Sequence, residues 1–588
     1  MASPNSETGM DSSAPIRDSP RGPLDYVRDV ARPSEEAAET EESDEKPHVS
    51  KFEREEADLM ARPNNGPGVT DDEIRRTESR NSVASRRSKV SQTISKVLSK
   101  PSKESKKDHL QPTILPLSEL EKGIVGWDSQ HDPTMPLNFS RRRKMTAVVL
   151  LALITLMAPL SSSILSPAIK YYTAEFGETN ATVAAMPVSI FLLGFAVGPL
   201  FLAPMSEIFG RKIVLILANS FFCCMEIGCA LPPNLGSLVA FRFLAGVGGS
   251  VNLTIGGGII ADLFPIEERG FAMSIWTIGP TIGPSVAPLV GAFIAGSIGW
   301  RWAAWICFIP STLVTGLLVF VFPETNHRVL IKHKTSKLRK ELGRPELESC
   351  YETPESRSLS NAAILRLGLL RPLKLLFLSP IIFTISLYIS FVYGTLYLMY
   401  NSVPTVFQTI YGWSTGVSGL AFIAMGCGYT AGLIFFSYFS DRSVIRLTAA
   451  NGGIYEPEMR LPTMSYFAMI TPCTFFWYGW AAEKHAHWAA AVTGIFPLGL
   501  GIFGLWMPAQ AYIIDAYPQY AASGIAAFTV LRSLTGAFLP LAGPALFANL
   551  GIGWGNSVLG FLCIAMIPVP IIIHRFGRKI RKKWPVKL

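Results

Sequence analysis

The chain has 588 residues, of which 49% are apolar and only 16% are charged, and its mean hydropathy is positive. This composition excludes an ordinary soluble domain and indicates a membrane protein. The bases behind the formal net charge of +9 cluster in segments that connect apolar stretches, so we expect no nucleic-acid partner. The sequence contains no phosphate-binding loop, nucleotide fold or metal-ligand cluster, which predicts neither an enzyme nor a cofactor or metal site.

Residues 1–140 form a polar N-terminal segment that is rich in Ser, Pro, Glu and Lys and poor in aromatic residues. Too few apolar side chains are present to build a core, which predicts a disordered cytoplasmic tail. Acidic residues dominate at 35–58 and basic residues at 75–107. The simpler interpretation is a solvated tail. The alternative is a phosphorylatable segment whose basic half contacts anionic lipid headgroups.

Twelve apolar stretches follow the basic run at 141–144, each long enough to cross a bilayer. We number them spans 1 to 12, in chain order 145–168, 182–204, 213–231, 236–261, 271–296, 302–322, 375–400, 415–438, 463–481, 487–513, 521–549 and 553–573. The sequence therefore predicts an all-α membrane protein with two pseudo-symmetric six-helix bundles. The predicted domains are a first bundle at 141–322, a cytoplasmic linker at 323–374, a second bundle at 375–574 and a basic cytoplasmic tail at 575–588.

The distribution of basic residues predicts the orientation of the spans. Bases precede span 1, lie between spans 2 and 3 and between spans 6 and 7, and follow span 12, whereas the 3–4, 7–8 and 11–12 connections contain no Lys or Arg. The positive-inside rule then places both termini in the cytoplasm. Because no apolar stretch precedes residue 145, we expect no cleavable signal peptide, and span 1 itself targets the chain to the membrane.

The connection between spans 2 and 3 carries one acid and two bases in a tight turn, Ala203-Pro204-Met205-Ser206-Glu207-Ile208-Phe209-Gly210-Arg211-Lys212. It resembles the loop between helices 2 and 3 of the major facilitator superfamily of secondary transporters, although Ala203, Glu207 and Ile208 replace the Gly, Asp and Arg of that family. The resemblance implies a cytoplasmic gate in which the acid faces a helix N-terminus of the other half and the bases meet Asp262 of span 4. The alternative is that Arg211 and Lys212 only anchor the topology.

The two halves of the sequence repeat each other's motifs. Span 4 ends with Asp262 three residues before a proline, and span 10 ends with Asp515 in the same arrangement. Span 2 ends in Ser206-Glu207 and span 8 in Ser440-Asp441-Arg442, which indicates transporter repeats. We predict a gate built from Glu207, Gly210, Arg211, Lys212, Asp262, Arg269, Asp441, Arg442 and Asp515.

Three charged residues lie inside apolar spans: Glu226 in span 3, Arg242 in span 4 and Arg532 in span 11. Charges within a bilayer are costly and usually functional, and the superfamily motif that resembles the sequence around Arg242 has an arginine tied to proton coupling. We assign all three residues to proton coupling. Because span 1 contains no acid, Glu226 is the candidate proton site.

Glu226 and Arg242 each lie about five residues, or about 7 Å, from the outer turn between spans 3 and 4. We therefore predict that they pair. The alternatives are that Arg242 extends to the membrane surface and that Glu226 faces lipid headgroups or another polar group. Arg242→Ala is expected to leave folding intact and to abolish proton-driven efflux.

Span 5 carries small residues and prolines that recur every four positions and so lie on one helix face: Gly279, Pro280, Gly283, Pro284, Pro288 and Gly291. Proline kinks a helix, and a face of small residues lets another helix approach closely. The pattern resembles the antiporter motif that separates drug:proton exporters from uptake symporters in the superfamily. The alternative is a packing stripe without bearing on the direction of transport.

Further motifs narrow the resemblance to the fungal drug:proton antiporter family with twelve spans. They are Trp127-Asp128, His131-Asp132-Pro133, Asn138-Phe139-Ser140, Gly299-Trp300-Arg301-Trp302, Pro323-Glu324-Thr325, Lys337-Leu338-Arg339, Val392 to Leu398, Pro457 to Pro462 and Asp515-Ala516-Tyr517. The resemblance covers about residues 125–588, and that family includes exporters of drugs, polyamines and mycotoxins. It implies a cavity between the halves near the membrane midplane.

Tyr393, Tyr397 and Tyr400 lie on one face of span 7 and are predicted to line this cavity, where they would suit flat, apolar or cationic substrates. Core packing is the alternative. We predict proton-coupled efflux of hydrophobic small molecules, such as azoles, other drugs or fungal toxins, by a monomer in the plasma membrane. The alternatives are a polyamine exporter, for which paired cavity acids are missing, and a sensor that no longer transports.

Overall fold

The computed structural model describes residues 116–352, 360–517 and 521–584, so most of the predicted disordered tail lies outside the described residues. The helices of the first half correspond to spans 1 to 6: Arg141–Ile164, Ala181–Ile208, Arg211–Ala230, Leu235–Gly249 continued by Val251–Leu263, Ile266–Ser297 and Trp302–Val321. A short helix, Ile169–Phe176, extends span 1 beyond the break at Ser166 and Pro167.

The helices of the second half correspond to spans 7 to 12: Pro380–Thr409, Thr415–Ser418 continued by Phe422–Ala450, Leu461–Glu483, Trp488–Ala516, and Ala521–Met566 followed by Pro568–Lys583. Gly551 divides the long helix Ala521–Met566 into spans 11 and 12, because its φ of 74° and ψ of 174° are not helical. The predicted start of span 7 at residue 375 is wrong, since a separate helix, Asn361–Leu378, ends just before Ser379.

Ten stretches of the described residues are long and apolar enough to cross a membrane. One of them, Ser523–Lys583, contains both span 11 and span 12. Span 9, Leu461–Glu483, is not among the ten because its tyrosines, tryptophans and threonines lower its hydropathy. With span 9 and the division at Gly551, twelve helices of the described chain correspond to the twelve predicted spans.

Short polar residues and glycines set several helix ends. The Asn180 side chain begins span 2 by accepting the Thr182 N–H at 2.9 Å. At the start of span 4, Asn234 and Ser237 form a reciprocal capping box. These contacts satisfy N–H groups that a helix leaves free at its first turn. Gly177, with a φ of 69°, ends the short helix after span 1.

Residues 116–140 fold against the linker, so the predicted tail boundary at residue 140 is wrong. Strand Ile124–Val125 pairs in parallel with Glu348–Ser349, and the buried Trp127 donates from Nε1 to the Tyr351 hydroxyl at 3.1 Å. The linker also contains the helix His327–Leu342. A small apolar cluster holds the two segments together, and its buried members are Val125, Trp127, Met135, Ile331 and Leu347.

The C-terminal basic residues belong to a helix and not to a separate tail from residue 575 onward. Pro568–Lys583 is helical, and Arg581 donates to both carboxylate oxygens of the buried Glu458 at 3.0 and 2.9 Å. A bidentate contact of this kind fixes the relative orientation of the two side chains as well as their distance. The last helix is therefore anchored to the start of span 9.

Large apolar side chains cover the outer faces of several spans. Leu217 of span 3, Leu313 and Phe320 of span 6 and Ile434 of span 8 are all more than half exposed. A soluble protein rarely exposes so many large apolar residues. These faces suit contact with lipid acyl chains.

The two halves contact each other along spans 2 and 11, where Leu192 lies against Gly536, and also at one end of the bundle. We call the end that carries Arg141, Arg211 and the linker the basic end, and the other the opposite end. At the opposite end, Tyr171 donates its hydroxyl proton to the Thr415 hydroxyl at 3.1 Å. A second contact joins the Ser166 hydroxyl of the first half to the backbone carbonyl of Tyr400. Spans 5 and 8 also touch here, through Ala292 and Gly419.

Candidate functional site

A fully buried acid and base meet where spans 1, 3 and 4 pack together. Glu226 and Arg242 are 0% and 1% exposed, and Nη1 of Arg242 lies 3.9 Å from Oε1 of Glu226. The Ser161 hydroxyl of span 1 bridges them: it donates to Glu226 Oε1 at 2.5 Å and accepts from Arg242 Nη1 at 2.8 Å. The predicted pairing is confirmed, and exposure of Glu226 to lipid headgroups is excluded.

Arg242 is held by the end of span 1. Its guanidinium donates to the backbone carbonyls of Ser161 at 2.7 Å and Ser162 at 3.2 Å, and to that of Pro187 at 3.0 Å. The helix of span 1 ends at Ile164, so the carbonyls of its last turn have no partner within the helix. The partial negative charge at this helix end further favours a cation there.

Glu226 has one carboxylate oxygen in use and one free. Oε2 makes no hydrogen bond to any described residue, although it is buried. Burial disfavours a charged carboxylate, whereas the nearby Arg242 favours it. A change in the distance between the two side chains therefore changes the proton affinity of Glu226.

A polar contact connects this cluster to a cavity between the two halves. Ser162, adjacent to Ser161, shares a hydrogen bond of 2.8 Å with the Tyr397 hydroxyl of span 7. The hydroxyl of Tyr393 donates to that of Tyr397 at 3.5 Å. Both tyrosines line the cavity, which has about 510 Å³ of empty space including its opening. Its lining residues are Pro159, Phe195, Leu253, Pro280, Pro284, Tyr393, Leu396, Tyr397, Tyr429, Ile502, Phe503, Trp506 and Arg532.

Tyr400 is not part of this lining, so the prediction that all three tyrosines line the cavity is wrong for this residue. It is fully buried and its ring packs against Phe422, 5.5 Å between ring centres. One turn of helix beyond Tyr397 carries it to the opposite end, where the halves close on each other. There its ring packs in the core. This is the alternative to cavity lining, and periodicity alone cannot distinguish the two.

The small residues of span 5 face span 1, and two of its three prolines face the cavity. A Cβ on Gly279 would lie 2.9 Å from the Leu156 nitrogen, and one on Gly283 would lie 3.2 Å from the Leu160 nitrogen. Pro280 and Pro284 line the cavity. The helix Ile266–Ser297 also includes Pro288 and Gly291. The motif thus combines close helix packing with part of the cavity wall.

Gly291→Ala is expected to abolish efflux without preventing delivery to the membrane. A Cβ at this position would collide with the Ile164 carbonyl oxygen, so spans 1 and 5 must move apart at a cost of about 1–3 kcal/mol. Gly296→Ala in the same helix is the control, because its Cβ would find no heavy atom closer than 3.8 Å. Efflux per surface molecule would distinguish them, and equal rates for the two variants would contradict the expectation.

At the basic end, the loop between spans 2 and 3 contacts span 4, as predicted. Nε of Arg211 lies 3.3 Å from Asp262 Oδ2, and its Nη1 donates to the Ser206 hydroxyl at 2.6 Å. Arg269 instead binds the carbonyls of Ala261 and Phe264, both at 2.9 Å. It therefore completes the C-terminus of the span 4 helix and does not pair with Asp262.

Glu324, which the predicted gate omits, holds the N-terminus of span 3. Its carboxylate accepts the backbone N–H groups of Arg211 at 2.9 Å and Lys212 at 3.1 Å. An anion is stabilised at a helix N-terminus by the free N–H groups and the helix dipole. Gly210, with a φ of 101°, leaves room for this contact, since a Cβ there would collide with Glu324 Oε2.

Glu207 is exposed, and its side chain makes no ion pair or hydrogen bond within the described part of the chain. Its predicted contact with a helix N-terminus of the other half therefore stays a prediction. The loop turns at Gly210 so that the N–H groups of span 3 point to the linker, where Glu324 accepts them within the same half.

In the second half, Asp515 pairs with a base outside the predicted gate. Nε of Arg460, just before span 9, donates to Asp515 Oδ2, and the Tyr455 hydroxyl donates to the same oxygen at 2.6 Å. Partial burial and the hydrogen bond to Asp515 raise the pKa of Tyr455 to about 12, so this hydroxyl remains a donor at neutral pH.

Asp441 and Arg442 do not end span 8, because that helix continues to Ala450. The guanidinium of Arg442 instead lies 3.8 Å from the ring centre of Tyr438 on an exposed face. The predicted equivalence with the end of span 2 therefore fails for the position of Arg442. The side chain of Asp441 lies outside the described residues.

Glu324→Ala is expected to lower the free energy of unfolding by about 1–3 kcal/mol, because partly buried backbone N–H groups lose their acceptor. Glu207→Ala removes an exposed carboxylate nearby and serves as the control. Thermal unfolding in detergent measures both. A loss of stability in the control as large as in Glu324→Ala would contradict the assignment of Glu324 as the N-terminal cap.

The structure has two six-helix halves, and comparison with known families identifies the family to which it belongs. The family model described as Major Facilitator Superfamily matches residues 151–540. The chain belongs to the major facilitator superfamily. It is therefore a multi-pass membrane protein of a class of transporters.

Curated members of the superfamily from fungi are similar over most of their length. The MFS transporter cpaT of Aspergillus oryzae is 43% identical over 457 residues, which cover 78% of this chain and 91% of the relative. The MFS-type transporter atr4 of Stereocaulon alpinum is 42% identical over 463 residues, which cover 79% of this chain and 83% of the relative. The efflux pump radE of Floropilus chiversii is 39% identical over 473 residues, which cover 80% of this chain and 87% of the relative.

Solved structures of the superfamily share the fold at low sequence identity. The partially occluded, inward-open xylose transporter XylE from E. coli superposes with a TM-score of 0.56 at 18% identity, over 74% of this chain and 98% of that one. At this identity the likeness carries the architecture alone. The predicted superfamily and twelve-span fold are confirmed.

Sequence reasoning missed three side chains of this superfamily member: Ser161, Glu324 and Arg460. Ser161 is one of three consecutive serines near the end of span 1, and this polar run inside an apolar stretch was the available signal. Glu324 and Arg460 belong to motifs that carried the family resemblance, but nothing local shows which partner each one meets.

Proposed function

We propose that the protein exports hydrophobic small molecules in exchange for protons by alternating access. The observation that carries the proposal is the buried cluster of Glu226, Ser161 and Arg242, in which one carboxylate oxygen has no partner among the described residues. An ionisable residue in such a position is a proton-coupling candidate by default. The fungal relatives described as transporters and as an efflux pump support transport and an outward direction.

The proton step follows from the cluster's geometry. When Glu226 is protonated, its attraction to Arg242 is lost, and the guanidinium is held mainly by the carbonyls at the end of span 1. When Glu226 is charged, the pair draws spans 1, 3 and 4 together. Proton binding and release thus change the packing of span 1, whose other side meets span 5 and the cavity.

Alternating access requires that the two ends of the bundle open in turn. Contacts between the halves close the opposite end, through Tyr171 with Thr415 and Ala292 with Gly419. The Arg211–Asp262 contact and its counterpart Arg460–Asp515 each tie the ends of two helices together within one half at the basic end. In this proposal, each half moves as a rigid body and the cavity is reached from the basic end.

The cavity favours a hydrophobic substrate over a polyamine. Its thirteen lining residues include one charged side chain, Arg532, and no carboxylate. A polyvalent cation would meet a positive charge there and no partner, so the polyamine exporter is the weaker alternative. A sensor without transport is disfavoured because the Arg211–Asp262 contact and the close packing of span 5 against span 1 are both present.

We further propose that the protein acts as a monomer in the plasma membrane with both termini in the cytoplasm. The exposed apolar faces of spans 3, 6 and 8 suit lipid, and the basic residues of the linker lie at the end that carries Arg141 and Arg211. The positive-inside rule then assigns the basic end to the cytoplasm.

The test is efflux from a pump-deficient yeast that expresses the protein. Cells are loaded with Nile red, a neutral hydrophobic dye, and resistance to fluconazole, benomyl, cycloheximide and spermidine is scored in parallel. We expect energy-dependent dye efflux that a protonophore abolishes, together with resistance to hydrophobic compounds and none to spermidine. Resistance to spermidine alone would favour the polyamine exporter. Efflux that survives the protonophore would contradict proton coupling.

A further inference from the structure

Arg532 of span 11 is a buried cation in the cavity wall that has no acidic partner. It is 4% exposed, and its Nε makes no hydrogen bond within the described residues, where no carboxylate lies within ion-pair distance of the guanidinium. Its Cζ lies 4.5 Å from the ring centre of Tyr393 and 4.8 Å from that of Trp506. These rings hold the planar guanidinium, since cations lie favourably over aromatic faces.

The other buried arginine of the spans shows what a satisfied guanidinium requires here. Arg242 has an acid nearby, a serine hydroxyl and three backbone carbonyls as partners. Arg532 has aromatic rings alone. Because burying an unpaired charge is costly, the free donors of Arg532 indicate a partner that arrives from outside the chain.

We propose that Arg532 binds a carboxylate group of the substrate, carried on a flat apolar skeleton. This inference rests on the proposed export function and names its substrate class as hydrophobic organic acids. Arginine presents its donors in a fork that fits two oxygens of one group. Tyr393 and Trp506 lie beside the fork and offer aromatic surfaces to the skeleton, while Tyr397 and Tyr429 supply hydroxyl groups in the same wall.

The assignment separates Arg532 from the proton-coupling residues with which the sequence grouped it. The Glu226 cluster lies among spans 1, 3 and 4 of the first half, whereas Arg532 belongs to span 11 of the second. Arg532 lines the cavity, and the Glu226 cluster is connected to it through Ser162, whose hydroxyl bonds Tyr397. Tyr397 in turn accepts from Tyr393, which contacts Arg532. Proton binding in one half and anion binding in the other can therefore respond to the same movement of span 7.

The test compares three probes that share one flat skeleton and differ in charge: pyrene-1-butyrate, its methyl ester and 4-(1-pyrenyl)butylamine. Binding to the purified full-length protein is measured by energy transfer from its tryptophans to pyrene. We expect the carboxylate to bind at least about 10-fold more tightly than the ester, the range of a hydrogen bond to a charged group, and the amine to bind most weakly.

Arg532→Gln is expected to remove the preference for the carboxylate and to leave the affinity for the ester unchanged. Arg446→Gln, at an exposed arginine of the span 8 helix, is the matched control and should leave both affinities unchanged. If Arg532→Gln does not fold, Arg532→Lys takes its place and should keep the order of the three probes with a smaller preference. Equal binding of acid and ester to the natural protein, or an undiminished preference in Arg532→Gln, would overturn the inference.

The binding test and the export test can fail separately, so the failure of one proposal can be told from the failure of the other. Binding of the acid without proton-driven efflux would contradict the proposed function and leave the anion site standing. Proton-driven efflux of Nile red that is unaffected in Arg532→Gln, together with equal binding of acid and ester, would leave the function standing and overturn the anion site.

Discussion

Glu226→Gln is expected to abolish efflux driven by a pH gradient while substrate exchange continues. Glutamine has nearly the shape of a protonated glutamate and still offers an oxygen to the Ser161 hydroxyl, which lies 2.5 Å from Glu226 Oε1. It carries no charge, so its interaction with Arg242 no longer changes with proton binding. The cavity and its lining residues are untouched. The bundle can then change conformation with substrate but cannot use the proton gradient.

The measurement uses protein reconstituted in vesicles. Nile red transport is followed with and without an imposed pH gradient, and exchange is followed with dye on both sides. Glu226→Gln should fall to the rate of protein-free vesicles in the first assay and match the natural protein in the second. Glu121→Gln, at an exposed acid outside the spans, is the control and should behave normally in both. Gradient-driven transport that persists in Glu226→Gln would mean that another group titrates.

Arg242→Ala is expected to abolish transport and to lower the free energy of unfolding by about 3–5 kcal/mol, because it removes one partner of a buried ion pair. The substitution leaves Glu226 without its counter-charge and removes the donor to two carbonyls at the end of span 1. This differs from the expectation drawn from sequence, that the variant folds normally. The change arises because Arg242 is 1% exposed and fully hydrogen-bonded.

Thermal unfolding in detergent tests this prediction through a double-mutant comparison. Arg242→Ala alone should unfold at a much lower temperature than the natural protein. Adding Glu226→Gln should restore part of the loss, because the second substitution neutralises the buried carboxylate that the first one left unpaired. Identical unfolding of the single and double variants would show that the two side chains do not interact.

The sequence predicted the long-range architecture well because its signal is spread over many residues. Twelve apolar stretches and the bases between them define the helices and their division into halves whatever the details of packing. The Glu226–Arg242 pair was also predictable, since both residues lie at equal distance from one short turn. The errors in the ends of spans 7 and 8 arose where apolar or amphipathic helices continue past the membrane stretch, as in Asn361–Leu378.

The partners of individual gate residues could not be predicted from sequence. Glu207 lies in the motif, whereas Glu324 lies more than a hundred residues further along the chain and reaches the N-terminus of span 3 only through folding. The fold of residues 116–140 depends on a few apolar side chains, Trp127 above all, within a polar segment. Composition averages over such a segment and predicts disorder, while the packing of five buried residues decides the outcome.

The most direct test of proton-coupled export by Glu226 is proton release on substrate binding, measured with the purified protein in unbuffered detergent solution. Nile red is added to the natural protein, to Glu226→Gln and to the control Glu121→Gln, and the pH change is recorded. The natural protein and Glu121→Gln should release protons in step with dye binding, and Glu226→Gln should bind the dye and release none. Equal proton release from Glu226→Gln would contradict the account.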